Sequence, residues 1–408
     1  MTSRLLGFYA LPIKERLRVI ARLCNLAPEE IRVLESGDGL SLDQVDTMIE
    51  NALGILPLPL GVATNFQINH RDYLVPMSIE EPSVIASASN AAKIVRKAGG
   101  FRADASERRM VGQIQVVNCP DFVESRERVI NQADELLNLA NQSQPKMKSR
   151  GGGALSIDVR LLNHDVGDSG PEMLIVQVII DTRDAMGANV IDTMMEAIAP
   201  AVEQITEGTV YLRILSNYTD RCLARAQCAI PPELLETAKF PGVEVRDRIV
   251  AAYAFAEADL YRAVTHNKGI MNGIDAVAVS TGNDWRAIEA AAHAYATRSG
   301  RYRPMTRWFI GADGELVGSL ELPMPVGIVG GSIGSNPSVG VALKILHVSQ
   351  ATELAEVMVA VGLAQNLAAL RALVTEGIQK GHMALHNRAY HHLPTDDGKK
   401  RDAYERRE

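Results

Sequence analysis

The residues most able to do chemistry lie in two neighbouring stretches. The first is His266-Asn267-Lys268-Gly269-Ile270-Met271-Asn272-Gly273-Ile274-Asp275, and the second is Ser280-Thr281-Gly282-Asn283-Asp284-Trp285. An ammonium can stabilise an oxygen that gains negative charge, and a carboxylate beside it can hold that ammonium charged and oriented. The plainer reading makes Lys268 a surface lysine in a turn and Asp284 the cap of a helix that starts at Trp285. Glu80-Glu81-Pro82-Ser83 offers two more carboxylates at a strand-to-helix junction. They are either charges favoured at a helix N-terminus or a catalytic acid at the mouth of a domain. His382 and His386 share a helical face at i, i+4, but no Glu lies between them as in HExxH, so no metal site is expected.

The elements that must position these groups follow from pattern. The glycines around Lys268 predict a loop, and the apolar run 276–279 predicts a buried strand after it. Residues 13–24 read as an amphipathic helix, and Ser41 with Gln44 forms a capping box for a helix reaching toward Glu50. Residues 56–63 read as extended and buried, and 73–79 as a strand. Pro82 opens a helix over 83–98 whose small side chains predict burial in the middle of a domain. Between 110 and 217 the pattern changes. Strand 113–117, helix 120–141, strands 154–163 and 172–181 joined by a turn at 164–168, helix 187–205 and strand 209–215 give the order βαββαβ. That order is the ferredoxin-like unit, read here as an insertion into a larger one. Within it, Asp184-Ala185-Met186-Gly187-Ala188-Asn189 opens the second helix, where backbone N–H groups favour phosphate. Gly151-Gly152-Gly153 opens the strand before, as a ligand turn or a hinge, and neither motif is a GxGxxG fingerprint. The glycine-rich run 323–334 can approach a phosphate or another backbone. A long apolar helix over 351–379 carries Gln365 and Asn366, which are either a satisfied core pair or face a ligand.

Composition narrows the class. With 408 residues, 47% of them hydrophobic, the chain has ample material for a large core in two or three domains. A net charge of −7 argues against a nucleic-acid binder. No apolar run is read as a membrane span, and the N-terminus lacks the apolar core of a signal peptide. The four scattered cysteines show no CxxC spacing, so a reduced, cytoplasmic protein without disulfides or zinc is expected.

Seven segments together carry a resemblance. They are Glu50-Asn51-Ala52-Leu53-Gly54, Glu80-Glu81-Pro82-Ser83, Asp184-Ala185-Met186-Gly187-Ala188-Asn189, Arg213-Ile214-Leu215-Ser216-Asn217, Asn267-Lys268, Thr281-Gly282-Asn283-Asp284-Trp285 and Gly381-His382-Met383. In this order, over nearly the whole chain to about His386, the sequence resembles 3-hydroxy-3-methylglutaryl-CoA (HMG-CoA) reductase of the bacterial class II type. The resemblance implies an α+β fold: a large mixed substrate-binding domain around a buried central helix, an inserted ferredoxin-like cofactor domain and a short C-terminal flap. The corresponding boundaries are 1–109, 110–217, 218–376 and 377–408. It implies a homodimer, or an assembly of dimers, with active sites between subunits. The implied reaction reduces HMG-CoA with two hydrides from NAD(P)H to mevalonate and coenzyme A, or runs in reverse for mevalonate catabolism.

By matching motif the resemblance implies Glu81, Lys268, Asp284 and His382 as the catalytic set. Ser83, Arg262, Asn272, Asn217 and Gln365 fall at substrate positions, and Asp184, Met186, Gly187, Ala188, Asn189 and Gln144 at cofactor positions. Lys268 would stabilise the thioester oxygen, His382 would protonate the departing thiolate, and Glu81 would protonate the mevaldehyde oxygen. Burial and Asp284 would raise the Glu81 pKa, while Lys268 and the helix dipole would lower it.

Two departures from the pattern bear on function. NADH-preferring relatives carry an acid before the triple glycine, whereas residues 143–150 here hold no carboxylate and three cations, which leans toward NADPH. Class II relatives carry a helical C-terminal domain where this sequence has a short polar tail. Two other classes compete: a Schiff-base lyase or aldolase using Lys268 as nucleophile, and an inactive CoA-binding scaffold.

Overall fold

A computed structural model describes residues 2–37, 39–162 and 172–377. His382, His386, the expected flap and the expected turn at 164–168 lie outside the described residues. Three short helices open the chain: α1 (Ile13–Cys24), α2 (Pro28–Ser36) and α3 (Leu42–Met48). Ser41 and Gln44 form the expected capping box, and α3 stops at Met48, short of Glu50. A hairpin follows, β1 (Leu60–Ile68) and β2 (Arg71–Ser78), turned by Asn69 and His70, both left-handed as a tight two-residue hairpin requires. Next come α4 (Val84–Lys97) and β3 (Arg102–Ala105).

The insert comprises β4 (Arg109–Val117), α5 (Phe122–Asn131), α6 (Ala133–Ser143), α7 (Pro145–Ser149), β5 (Gly153–Leu162), β6 (Met173–Asp181), α8 (Ala188–Thr206) and β7 (Thr209–Ser216). Its antiparallel sheet has the order β5-β6-β4-β7, so the first and third strands of the unit are central, as in a ferredoxin-like fold. The single helix expected over 120–141 is broken at Gln132, which leaves helical geometry and starts a second helix on a new axis. The chain then returns with β8 (Leu223–Ile230), α9 (Gly242–Ala258), α10 (Leu260–Ser280), α11 (Trp285–Tyr295), β9 (Thr306–Ile310), β10 (Leu316–Pro323), α12 (Pro337–Leu346) and α13 (Ala351–Thr375). A second antiparallel sheet, β3-β8-β10-β9, is made by strands from both sides of the insert. The insert packs around its own core, built on Ile114, Val176, Val178, Ile191 and Ile198, apart from the larger core of the flanking chain.

Four expectations change. Lys268 is not in a loop, and residues 276–279 are not a strand: both belong to the 21-residue helix α10. Gly273 serves a close crossing, since a Cβ there would stand 3.0 Å from the Cβ of Gln365 on α13. Gly362 of α13 sits reciprocally against Ile274. A helix buried on most sides reads as a continuous apolar run, which its periodicity cannot separate from a buried strand. Second, the most deeply buried helix is α13, apolar all round, whereas α4 buries one face through Val84, Ala88, Ala91, Ala92 and Val95 and leaves the other partly open. α13 is also long and apolar enough to cross a membrane, contrary to the sequence reading, but here it lies inside the large core. Third, α4 starts at Val84, because Ser83 adopts φ 77° instead of entering the helix behind Pro82. Fourth, of the segment 56–63 expected to be buried, residues 56–60 are exposed and only Ala63 at its end is fully buried; no element among the described residues covers Leu56 or the nearby Leu53.

Candidate active site

The site forms where the end of β2 meets the middle of α10. β2 runs into Glu80 and Glu81, and the Lys268 Nζ donates to Glu81 Oε2 at 3.3 Å, joining groups 187 positions apart. Neither group is deeply shielded: the Lys268 side chain is 65% exposed and that of Glu81 35%. Two residues on, Ser83 combines a left-handed backbone with a buried hydroxyl that has no hydrogen-bond partner among the described residues. A non-glycine residue held there stores strain, and an orphaned hydroxyl beside it marks a place where a ligand atom would complete the bonding. Asn272 lies one turn beyond Lys268 on the same face of α10.

Asp284 does what the plainer reading said: its Oδ1 accepts from the N–H groups of Arg286 and Ala287, each at 3.1 Å, and so caps α11. Its charged neighbour is Arg286 at 3.5 Å, and the carboxylate facing Lys268 is that of Glu81. Arg262 lies near the start of α10, half-buried, and burial pulls its pKa below the ordinary arginine value. Gln365 sits on α13 at the crossing with α10, and its buried Oε1 has no partner among the described residues. Its neighbour Asn366 is satisfied instead: Oδ1 accepts from Trp308 Nε1 at 2.8 Å and from Thr306 Oγ1 at 2.9 Å. Thr306 also shares a 2.6 Å hydrogen bond with His266, whose pKa burial and then Arg262 push down to about 3, so this histidine is neutral core. The polar pair of the sequence thus divides, one member satisfied and one open.

The residues expected at the cofactor cluster at the joint between insert and large core. Gly187, with φ 94°, precedes α8 and no side chain caps that helix, so the first N–H groups from Ala188 and Asn189 onward are left for a ligand. The carboxylate of Asp184 is already used: Oδ1 accepts from Ala351 N at 2.8 Å, capping α13, and its carbonyl accepts from Ile328 N at 2.9 Å. Met186 lays its methyl against Gly331. The triple glycine is drawn to the same place, because Arg183 Nε donates to Gly151 O at 3.0 Å. Gln144 precedes α7, and the segment expected as a loop is this short helix, with Lys146, Lys148 and Arg150 exposed. Long N–H rows, glycines and nearby cations fit a pyrophosphate-bearing dinucleotide. Asn217 is exposed just past β7.

Sequence reasoning gave no role at this joint to Asn283 or Arg108. Asn283 Oδ1 accepts from Gly327 N at 2.7 Å while its Nδ2 donates to Gly327 O at 3.1 Å, pinning the glycine-rich run one residue before Asp284. Gly327 in turn approaches another backbone, since a Cβ there would be 2.4 Å from Met186 N. Buried Arg108 donates to Met324 O at 2.6 Å and to Val326 O. Asn283 carried a signal in its place in the Thr281–Asp284 motif, and Gly327 makes the approach to another backbone expected of the glycine-rich run 323–334.

Comparison with known proteins decides the family. The sequence profile described as hydroxymethylglutaryl-coenzyme A reductase matches residues 12–387. The chain belongs to the hydroxymethylglutaryl-coenzyme A reductase family. The 3-hydroxy-3-methylglutaryl-coenzyme A reductase of Archaeoglobus fulgidus is 50% identical over 388 residues, spanning 95% of this chain and 86% of that protein. A probable reductase of Borreliella burgdorferi is 36% identical, spanning 86% and 80%. Among solved structures, the class II reductase of Streptococcus pneumoniae bound to NADPH in open conformations superposes with a TM-score of 0.86 at 42% identity. The match covers 91% of this chain and 99% of that one. Members of this family are NAD(P)H-dependent oxidoreductases, and the fold class and activity expected from the sequence agree with these matches.

Proposed function

We propose that this chain reduces HMG-CoA to mevalonate and coenzyme A at the Glu81–Lys268 junction, with NADPH as reductant. The Lys268–Glu81 contact carries the reading: it brings an ammonium and a carboxyl group from opposite ends of the large core to one point. When bound, the dinucleotide supplies one hydride to the thioester carbon and a second to the aldehyde carbon. Lys268 stabilises the oxygen that becomes negative each time. As the C–S bond breaks, His382 gives the thiolate its proton, and Glu81, which must first take up a proton from solvent, gives it to the aldehyde oxygen. Asp284 supplies fixed negative charge from the end of α11. Ser83, Asn272, Arg262, Gln365 and Asn217 bind the substrate, with the open Ser83 and Gln365 groups as its polar contacts. A lysine ion-paired with Glu81 is chemically a cation, which supports this role over the amine nucleophile of a Schiff-base lyase.

The cofactor seat comprises Asp184, Met186, Gly187, Ala188, Asn189 and Gln144, with Asp184 acting by holding the turn. Lys146, Lys148 and Arg150 meet a 2′-phosphate. NADPH is accordingly expected to give a kcat/KM at least equal to that of NADH. A strong NADH preference in initial-rate kinetics would show that another group reads the ribose.

The division into 1–109, 110–217, 218–376 and 377–408 is supported by the two separate cores. A homodimer is supported by exposed apolar surface: Leu53 and Leu56, and the stripe Tyr261, Val264 running along α10 to Lys268. A partner subunit on that surface would also shield Lys268, which an oxyanion site requires. A cytoplasmic location fits the buried thiols Cys222 and Cys228, the latter pushed up to about 12 by burial.

Two variants separate the proton donors. His382→Gln is expected to lower HMG-CoA reduction by roughly 10²-fold while sparing reduction of added mevaldehyde, where no thiolate leaves. Glu81→Gln is expected to impair both. Equal losses for His382→Gln in the two assays would leave His382 as a positioning group.

A further inference from the structure

A run of polar side chains surrounds the part of α10 that bears Lys268 and Asn272, and no step above uses it. It begins at Asn267, whose Oδ1 accepts from Met305 N at 2.8 Å and whose Nδ2 donates to Arg303 O at 2.9 Å. That fixes the orientation of the amide, so the remaining Nδ2 hydrogen donates to the Tyr302 hydroxyl. Tyr302 and His293 Nδ1 are 2.7 Å apart, and His293 Nε2 is 2.7 Å from Glu289 Oε2. Glu289 in turn is hydrogen-bonded to Asp275, back on α10. The ring therefore leaves α10 one residue before Lys268, passes through the 296–305 segment and α11, and rejoins α10 seven residues after Lys268, on the same face.

The Glu289 end of the ring fixes where a hydrogen must sit. His293 Nε2, 2.7 Å from Glu289 Oε2, is the donor of that bond whichever way the Tyr302–His293 bond runs. Glu289 is then the acceptor of two bonds, and the second hydrogen must come from the Asp275 carboxyl. The other oxygen of Asp275, Oδ1, is buried without a partner among the described residues. An ionised Asp275 would leave that oxygen charged and unstabilised, facing a second carboxylate. The charges acting on the pair agree. Burial first, and then Glu289, push the Asp275 pKa up to about 8, while His293 and Asp275 help hold Glu289 below its ordinary value against the opposing effect of burial. Tyr302 is raised by burial and lies beyond His293.

We propose that Asp275 is a positioning residue: the proton it shares with Glu289 closes a ring that holds the Lys268–Asn272 face of α10 at a fixed distance from the Asp284-capped end of α11. The kinetic part rests on the roles proposed above for Lys268 and Asp284; the proton itself does not. Loss of the proton puts two carboxylates in contact, opens the ring and lets the two helix ends drift.

The test compares wild type with Asp275→Asn, whose amide can donate to Glu289 at any pH, and with Asp275→Leu, which cannot. A raised folded-state pKa means that the folded protein holds more protons than the unfolded chain between the two values, so stability declines as pH rises through that window. The Tm of wild type is therefore expected to fall relative to Asp275→Asn from about pH 4 to about pH 8. Infrared difference spectra are expected to show a protonated-carboxyl band that Asp275→Asn lacks. In turnover, wild type is expected to lose kcat through a limb near pH 8 that is displaced upward in Asp275→Asn. Asp275→Leu, folded by circular dichroism, is expected to lose roughly 10- to 10²-fold in kcat with little change in KM. Superimposable pH profiles of Tm and kcat for wild type and Asp275→Asn would overturn the proposal. So would wild-type kcat in Asp275→Leu, even with the shared proton seen in the infrared. The Tm and infrared arms need no substrate, so a wrong functional assignment would show as absent turnover with those arms intact.

Discussion

Lys268→Ala is expected to lower kcat for HMG-CoA reduction by roughly 10²–10³-fold, the usual cost of removing one oxyanion stabiliser. The loss should appear in both half-reactions, because negative charge develops on a carbonyl oxygen each time a hydride arrives. It should not appear as unfolding. The lysine head stands largely in solvent, and its 3.3 Å contact with Glu81 is an exposed ion pair of the kind worth at most about 1 kcal/mol. The helix beneath it does not depend on the ammonium, and alanine favours a helix at least as well. Lys268→Arg should recover part of the rate, since charge is kept while its shape changes. Rates measured by cofactor oxidation, alongside an unchanged Tm, check this. A near-wild-type kcat in Lys268→Ala would remove the lysine from the mechanism.

Gly327→Ala is expected to damage both stability and cofactor use. The added methyl would stand 2.4 Å from Met186 N and 2.7 Å from Ala185 C, which are backbone atoms that cannot swing aside. Gly327 cannot retreat either, since Asn283 grips both its N–H and its carbonyl. Forced separation of such a contact costs about 1–3 kcal/mol or more. The strain falls on the turn proposed to seat the dinucleotide, so KM for NADPH should rise by roughly tenfold or more while KM for HMG-CoA changes little. Gly334→Ala, where nothing lies within 4 Å, is the control and should behave as wild type in thermal melts and kinetics.

The insert was legible because its helices each bury a single face, and its strands, including the central ones buried on both faces, are short apolar runs set off by turn residues. Its one long helix was misread at Gln132, where the break is a backbone rotation with no proline or glycine to announce it. The large core was less legible for a physical reason. α10 and α13 are buried on most sides and cross at Gly273 and Gly362, so apolar runs and glycines that usually mean strand and loop there mean close helix packing. Glu81, Lys268 and Asp284 could be found as chemistry-bearing types in known motifs, but that Glu81 and Lys268 touch is a tertiary fact. Asp184 shows the opposite limit: its motif was plain, while its bond to Ala351 N, 167 positions away, left no local trace.

The double grip of Asn283 on Gly327 also bears on the timing of turnover. Reduction of a thioester to an alcohol uses two reductant molecules in succession, so the spent one must leave while a half-reduced substrate waits. Asn283 stands beside Asp284, and Gly327 stands against the Asp184–Met186 backbone, so the turn proposed to seat the nucleotide is tied to the carboxylate proposed to lie beside the substrate. Swinging that seat away to discharge the first reductant would carry the carboxylate with it and expose the aldehyde to water. Exchange is therefore expected to proceed along the outer side of the nucleotide, leaving this joint shut. Release of the first oxidised reductant should then be insensitive to substitutions at the joint, and those substitutions should act on how well each fresh molecule is aimed.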